Sequence, residues 1–150
     1  MDIEIDVCSS VCSSKVHFIL SPELWGCFNS VLCTLINRTW NEVKFLDSNK
    51  NLHPSMNNLP ANKGGIYAFV AKPNIIPDTH IYILYIGRSL YTYSQNLRKR
   101  CGEYLLEKRP KIKRMIDSWG PYLYIRYLPL DDNSIIEELE KELINKILPP

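Results

Sequence analysis

Two short apolar runs constrain this chain more than anything else in it. Gly65 to Ala71 and Ile81 to Ile86 each read as a β-strand, and the second ends at Gly87. Between them Asn74 to Thr79 is a turn-rich connection flanked by Pro73 and Pro77, so the two runs form an antiparallel hairpin. Downstream, residues 96–108 and 111–118 read as helices, the second stopped by Gly120-Pro121. Residues 122–128 read as a third strand, and residues 134–148 as a last helix stopped by Pro149-Pro150. That order of elements predicts an α+β fold in which helices pack on the hairpin and its third strand.

Upstream the pattern is weaker. Ile3, Ile5 and Val7 alternate with acidic residues over 2–8, and residues 15–20 look like another short strand. Ser21 can cap a helix, Pro22 suits its first turn, and Leu24, Phe28, Val31, Leu32, Leu35 and Ile36 recur at helical spacing. Residues 47–63, rich in Asn, Ser and Pro, read as a long loop. The organisation expected is an N-terminal strand and helix extension over residues 1–60, packed on a domain of residues 61–150. The start of the chain is acidic where a secretion signal needs positive charge, and no apolar stretch approaches the ~20 residues of a membrane span. A cytoplasmic protein without a membrane partner is expected. The five cysteines are odd in number and irregularly spaced, which predicts reduced thiols. Cys8, Cys12 and His17 do not have the spacing of the common zinc modules.

The net charge of +2 conceals a strong asymmetry. Residues 64–128 hold eleven Lys and Arg against four Asp and Glu, whereas residues 129–150 hold two against six. A basic segment beside an acidic one suits a phosphate-binding surface next to a carboxylate metal site, and equally suits two solvated helices.

Periodicity selects particular side chains. On the last helix Ile136, Leu143 and Ile147 define an apolar stripe flanked by Leu139 and Ile144. Glu140 falls inside that arc, while Glu137, Glu138 and Glu142 point elsewhere. A carboxylate there needs a partner, which can be a basic side chain or a cation. On the 96–108 helix Leu97, Cys101 and Tyr104 face inward and Arg100 borders them. Arg100 and Tyr104 can converge on a phosphate, or the guanidinium can stack on the phenol at the core edge.

The strands carry Gly65-Ile66-Tyr67 and Tyr85-Ile86-Gly87, and the chain here resembles the GIY-YIG endonuclease family. Asn96-Leu97-Arg98-Lys99-Arg100, with Tyr104 four residues on, resembles that family's Asn-Leu-x-x-Arg helix start and following aromatic. Glu140-Lys141-Glu142-Leu143-Ile144, with Pro149 after it, resembles its Glu-x-x-Leu-Ile segment and Pro. The resemblance implies a small three-stranded antiparallel sheet flanked by helices and hydrolysis of DNA phosphodiester bonds with one divalent cation, Mg²⁺ or Mn²⁺. It implies that Tyr67, Tyr85, Arg100, Tyr104 and Glu140 are catalytic. Tyr67 and Tyr85 would point into one cleft, with Tyr67 positioning or deprotonating the attacking water. Tyr85 and Tyr104 would bind water or phosphate oxygens, Arg100 would stabilise phosphate charge, and Glu140 would hold the metal. A tyrosine with an ordinary pKa of about 10 would need cations such as Arg88 or Arg100 beside it to act as a base.

Several features depart from the family pattern. The triplets are 17 residues apart, a longer gap than the family's usual one, and extra residues containing Tyr91, Thr92 and Tyr93 precede the Arg100 helix. Those tyrosines can stack on bases or pack the longer loop. The family's Asn beyond the Pro is not found within the sequence. Arg88, Lys99 and the run Lys108, Arg109, Lys111, Lys113 and Arg114 are the expected DNA-backbone contacts; the other reading of the run is a solvated helix face. The alternative function is a nucleic-acid-binding module of the same fold with impaired catalysis.

Overall fold

The computed structural model of the protein describes residues 16–26 and 28–150. Its centre is a four-stranded antiparallel sheet of β1 (Asn41–Lys44), β2 (Gly64–Ala71), β3 (Tyr82–Ser89) and β4 (Leu123–Leu130), in spatial order β1-β4-β2-β3. The α+β class is as expected, but the sheet has one strand more than the three anticipated. The added strand, β1, pairs with β4 from Asn41 opposite Tyr127 to Lys44 opposite Tyr124. Only Val43 of its four residues is buried, so its hydrophobic signal is slight. Glu42 anchors it instead, bonded to Lys72 Nζ at 2.6 Å and Arg126 Nε at 2.8 Å. Burial opposes its charge, but these two cations hold the carboxyl below the usual range.

Four α-helices cover the sheet: α1 (Ser30–Ile36), α2 (Leu97–Glu103), α3 (Pro110–Trp119) and α4 (Asn133–Ile147). Central β2 is buried on both sides and divides the core. Tyr67 and Phe69 join Leu97, Cys101, Tyr104, Ile112 and Met115 under α2 and α3. Ile66, Ala68 and Val70 join Leu32, Leu35, Ile136, Leu139 and Leu143 under α1 and α4. No helix among the described residues is long and apolar enough to cross a membrane.

The early segment differs from expectation. Residues 16–20 form no strand, and the proposed strand at 2–8 lies outside the described residues. The helix expected from Ser21 is broken in two. A single 3-10 turn at Pro22–Leu24 ends at Trp25, and α1 begins only at Ser30, where Asn29 accepts from the Leu32 N–H. Ser21 makes no side-chain cap at the earlier start. The 47–63 segment is not a plain loop, since it holds a one-turn 3-10 helix at Pro54–Asn58 and buries Met56 and Leu59. The expected 96–108 helix closes at Glu103 and tightens into a 3-10 turn at Tyr104–Leu106.

Candidate functional site

Two glycines admit the backbone that the site is built on. Gly65 has φ +151°, a conformation that side chains rarely tolerate, and a Cβ there would lie 2.2 Å from the Leu128 carbonyl oxygen of β4. Gly87 sits opposite Tyr67 in the β2–β3 register, and the Tyr67 ring lies across it. The register then slips. Phe69 pairs with Tyr85 and Val70 with Ile83, leaving Leu84 as an extra residue. Tyr85, two residues before Gly87, already shares the Tyr67 side by alternation, and the bulge turns Leu84 onto the α2–α3 layer beside it.

The start of α2 is bracketed by the 47–63 segment. Asn96 accepts from the Lys99 N–H at 2.9 Å, the Leu97 and Arg98 N–H groups donate to the Lys63 and Pro60 carbonyls, and Arg98 Nε donates to the Leu59 carbonyl at 2.7 Å. Thus held, α2 buries Leu97, Cys101 and Tyr104 with Arg100 half-buried at the border, as its periodicity predicts.

Three phenols and a guanidinium meet there. Tyr67 Oη and Tyr104 Oη are 2.8 Å apart, Tyr104 Oη donates to Tyr85 Oη at 3.3 Å, and Arg100 Nη2 donates to Tyr104 Oη at 3.3 Å. Arg100 can only donate, so a consistent pattern has Tyr104 accepting from Arg100 and Tyr67 while its own proton goes to Tyr85. The hydroxyl chain thus runs from fully buried Tyr67 to half-buried Tyr85. Arg100 also stacks on the Tyr104 ring at 4.8 Å, so both arrangements anticipated for this pair are present.

Burial, then Tyr104 and Cys101, push the Tyr67 phenol well above its ordinary value, against a smaller lowering by Arg100. Burial likewise pushes up Tyr104 and the Cys101 thiol. Burial works against the charge of Arg100, but the facing Tyr67 and Tyr104 oxygens and Glu103 raise it overall. Desolvation outweighs the nearby guanidinium and favours the protonated phenol.

Tyr67 and Tyr85 share one face of the sheet, whereas Arg88 and Glu140 meet on the other. Gly87 and Arg88 are consecutive on β3, so they face opposite sides of the sheet. Arg88 pairs in register with Ile66 on the α1–α4 side, where its Nη1 bonds Glu140 and its Nη2 lies 3.5 Å from Glu137. Glu140 is inward and partnered, as the periodicity requires, and its side chain is 17% exposed. The tyrosine cluster and the Arg88–Glu140 pair thus reach edge strand β3 from opposite faces. Among the described residues, no hydrogen bond or ion pair joins these two groups.

As a metal donor Glu140 fits in kind. Mg²⁺ takes one or two carboxylates and keeps several waters, and Glu137, one turn earlier, supplies a second carboxylate nearby. No cluster of three or more acidic, His or Cys side chains able to hold an ion occurs among the described residues. Cys8 and Cys12 lie outside them.

The expected DNA-contacting residues are dispersed. Lys99 bonds the Ser94 carbonyl at 2.6 Å, and Arg109 pairs with Glu107 at 2.8 Å. Glu107 first, and Tyr85 after it, hold the Arg109 guanidinium firmly charged, although burial opposes this. Lys111 and Arg114 border a groove beside Tyr85, whereas Lys108 and Lys113 border a separate depression with Asp117. The inserted loop is fastened by paired bonds between Tyr91 and Asn133, at 2.9 and 3.0 Å, yet the Tyr93 ring is fully exposed and packs nothing. Sequence reasoning missed Glu137 as the second acceptor of Arg88, for which its position three residues before Glu140 was a usable signal. It also missed Met115 and Trp119 as groove walls, which nothing in the α3 pattern distinguishes from ordinary core.

Compared with models of protein families, with curated proteins and with solved structures, the chain matches none.

Proposed function

We propose that this chain is a cytoplasmic, metal-dependent endonuclease that hydrolyses DNA phosphodiester bonds with one Mg²⁺ or Mn²⁺. The observation that carries this reading is the meeting of the Tyr67, Tyr85 and Tyr104 hydroxyls with the Arg100 guanidinium, drawn from three separate elements onto one hydrogen-bonded chain. Those are the four residues at which the GIY, YIG and Asn-Leu-x-x-Arg motifs resemble the nuclease family.

In this reading Tyr85, the most accessible hydroxyl, meets the phosphate or the attacking water. Arg100 offsets negative charge developing on the phosphate, which is the main demand of phosphoryl transfer. Tyr67 serves as a donor that fixes Tyr104, since burial keeps its proton in place. Glu140, with Glu137 beside it, would hold the cation, whose chemistry is to neutralise the leaving oxygen. Arg88 must first release Glu140 and is then free to meet a phosphate.

One observation favours a second reading, a DNA-binding module that does not cut. The carboxylate proposed for the metal is already bonded to Arg88. Supercoiled plasmid incubated with Mg²⁺, Mn²⁺ or chelator separates the two. Wild type is expected to nick it only with metal, and folded Glu140→Ala and Tyr67→Phe variants are expected to lose about two orders of magnitude or more in rate. Binding without nicking under any divalent metal selects the second reading. Undiminished nicking by Glu140→Ala removes Glu140 as the ligand.

A further inference from the structure

Beside the hydroxyl cluster, between β3 and α3, lies a groove of about 430 Å³. Leu84, Met115 and Trp119 make its apolar wall, Lys111 and Arg114 stand on its rim, and Tyr85 belongs both to it and to the hydroxyl chain. Other basic residues of this face are neutralised, Arg100 by Glu103 and Arg109 by Glu107. Lys111 and Arg114 form no ion pair among the described residues, so the rim keeps two free positive charges beside an aromatic wall.

We propose that this groove holds one unpaired nucleotide of the DNA strand, adjoining the phosphate that meets Tyr85. The base lies against Trp119 and Met115, and the nucleotide's own phosphate lies against Lys111 and Arg114. The inference deepens the nuclease reading and rests on its assignment of a nucleic-acid ligand. A cationic track with an aromatic platform is the combination that binds single strands, because an unpaired base offers its face for stacking. A base inside a duplex has both faces covered by its neighbours and could not use the Trp119 wall. Rim charge alone would serve any polyanion; the wall adds a preference for strands whose bases are unstacked.

The test uses the full chain with Trp25→Phe and Trp40→Phe, leaving Trp119 as the sole tryptophan. Its fluorescence is followed while a single-stranded thymidine pentanucleotide, an abasic chain of equal length, and a duplex are titrated in. The pentanucleotide is expected to quench Trp119 and to bind roughly tenfold more tightly than the abasic chain. Lys111→Gln with Arg114→Gln should weaken both single strands. As a second measurement, anisotropy with Trp119→Leu should show the preference for bases abolished, and Trp119→Phe should restore it. Equal affinity for abasic and base-bearing strands, or binding without any change in Trp119 fluorescence, overturns the proposal. Plasmid nicking assayed on the same protein keeps the two readings apart. Nicking without a Trp119 response removes the groove alone, and quenching without nicking removes the nuclease while leaving the groove occupied.

Discussion

Replacing Gly87 by alanine tests whether the glycine of the second strand exists to accommodate the tyrosine of the first. A Cβ at position 87 would stand 2.7 Å from Tyr67 Oη and 2.8 Å from both Cε2 and Cζ. Unstrained carbon contacts lie at about 3.5–4.0 Å, so the overlap approaches ~1 Å. Tyr67 has little room to retreat. It is fully buried, with the Phe69 ring centroid 6.3 Å away, that of Tyr104 5.8 Å away, and its hydroxyl bonded to Tyr104. Overpacking of this kind costs about 1–3 kcal/mol, and a ring that slides enough to lose its hydroxyl bond forfeits about 1 kcal/mol more. Gly87→Ala is therefore expected to cost about 3 kcal/mol and to lower Tm by roughly 6–12 °C at this chain length. Urea titrations of Gly87→Ala, Tyr67→Leu and the double variant close a thermodynamic cycle. Because the alanine methyl and the phenol compete for one space, the double variant should be more stable than additivity predicts by at least ~1 kcal/mol. Additive costs, or a Gly87→Ala protein as stable as wild type, would refute the argument that the ring occupies the space above the glycine.

Two further outcomes follow from the site. Burial raises Tyr67 and Tyr104, so the folded state keeps protons that the unfolded chain releases near pH 10. Their contribution is therefore present below that pH and is lost as pH rises through and beyond it, by up to ~1.4 kcal/mol per pH unit for each buried phenol. Phenolate absorbance should show Tyr67 and Tyr104 titrating late, with Tyr127 also delayed by burial, and titration of the first two at ordinary pH would contradict the buried hydroxyl chain. Arg88 competes with any cation for Glu140, so Arg88→Gln should bind Mn²⁺ several-fold more tightly by calorimetry, in keeping with a partly exposed ion pair worth about 1 kcal/mol. Adding Glu140→Gln should remove that gain; unchanged Mn²⁺ affinity in Arg88→Gln would show that the pair does not block the carboxylate.

How legible each element was depended on how it earns its place. Strand β2 and helices α2 and α4 bury regular sets of side chains, and periodicity located all three. Strand β1 buries one residue and is held by Glu42 bridging Lys72 and Arg126, neighbours distant in sequence, so no local pattern announced it. The early helix failed for the opposite reason. Apolar spacing continued across Trp25 and Gly26, but only Leu32 and Leu35 of the observed helix reach the core, and a helix is stabilised by what it buries more than by its spacing. The Asn- and Pro-rich 47–63 segment read as a long loop, yet its carbonyls satisfy the N–H groups that start α2 and the Arg98 side chain.

The candidate site shows a sharper boundary. Sequence identified which helical residues face inward, because a helix face is a local property, and Glu140 accordingly proved both inward and in need of a partner. It did not identify which side of the sheet each helix covers, because that depends on how the chain crosses the strands. Adjacent residues of a strand necessarily diverge, so once Gly87 is committed to the Tyr67 side, Arg88 is committed to the Glu140 side. The YIG–Arg sequence therefore cannot place Tyr85 and Arg88 on one wall. It can bring them together only around the outer edge of β3, the one boundary of the β2–β3 hairpin that no strand covers among the described residues. In the nuclease reading, a phosphate that engages both Arg100 and a cation at Glu140 would have to lie across that edge, because the two groups reach β3 from opposite faces.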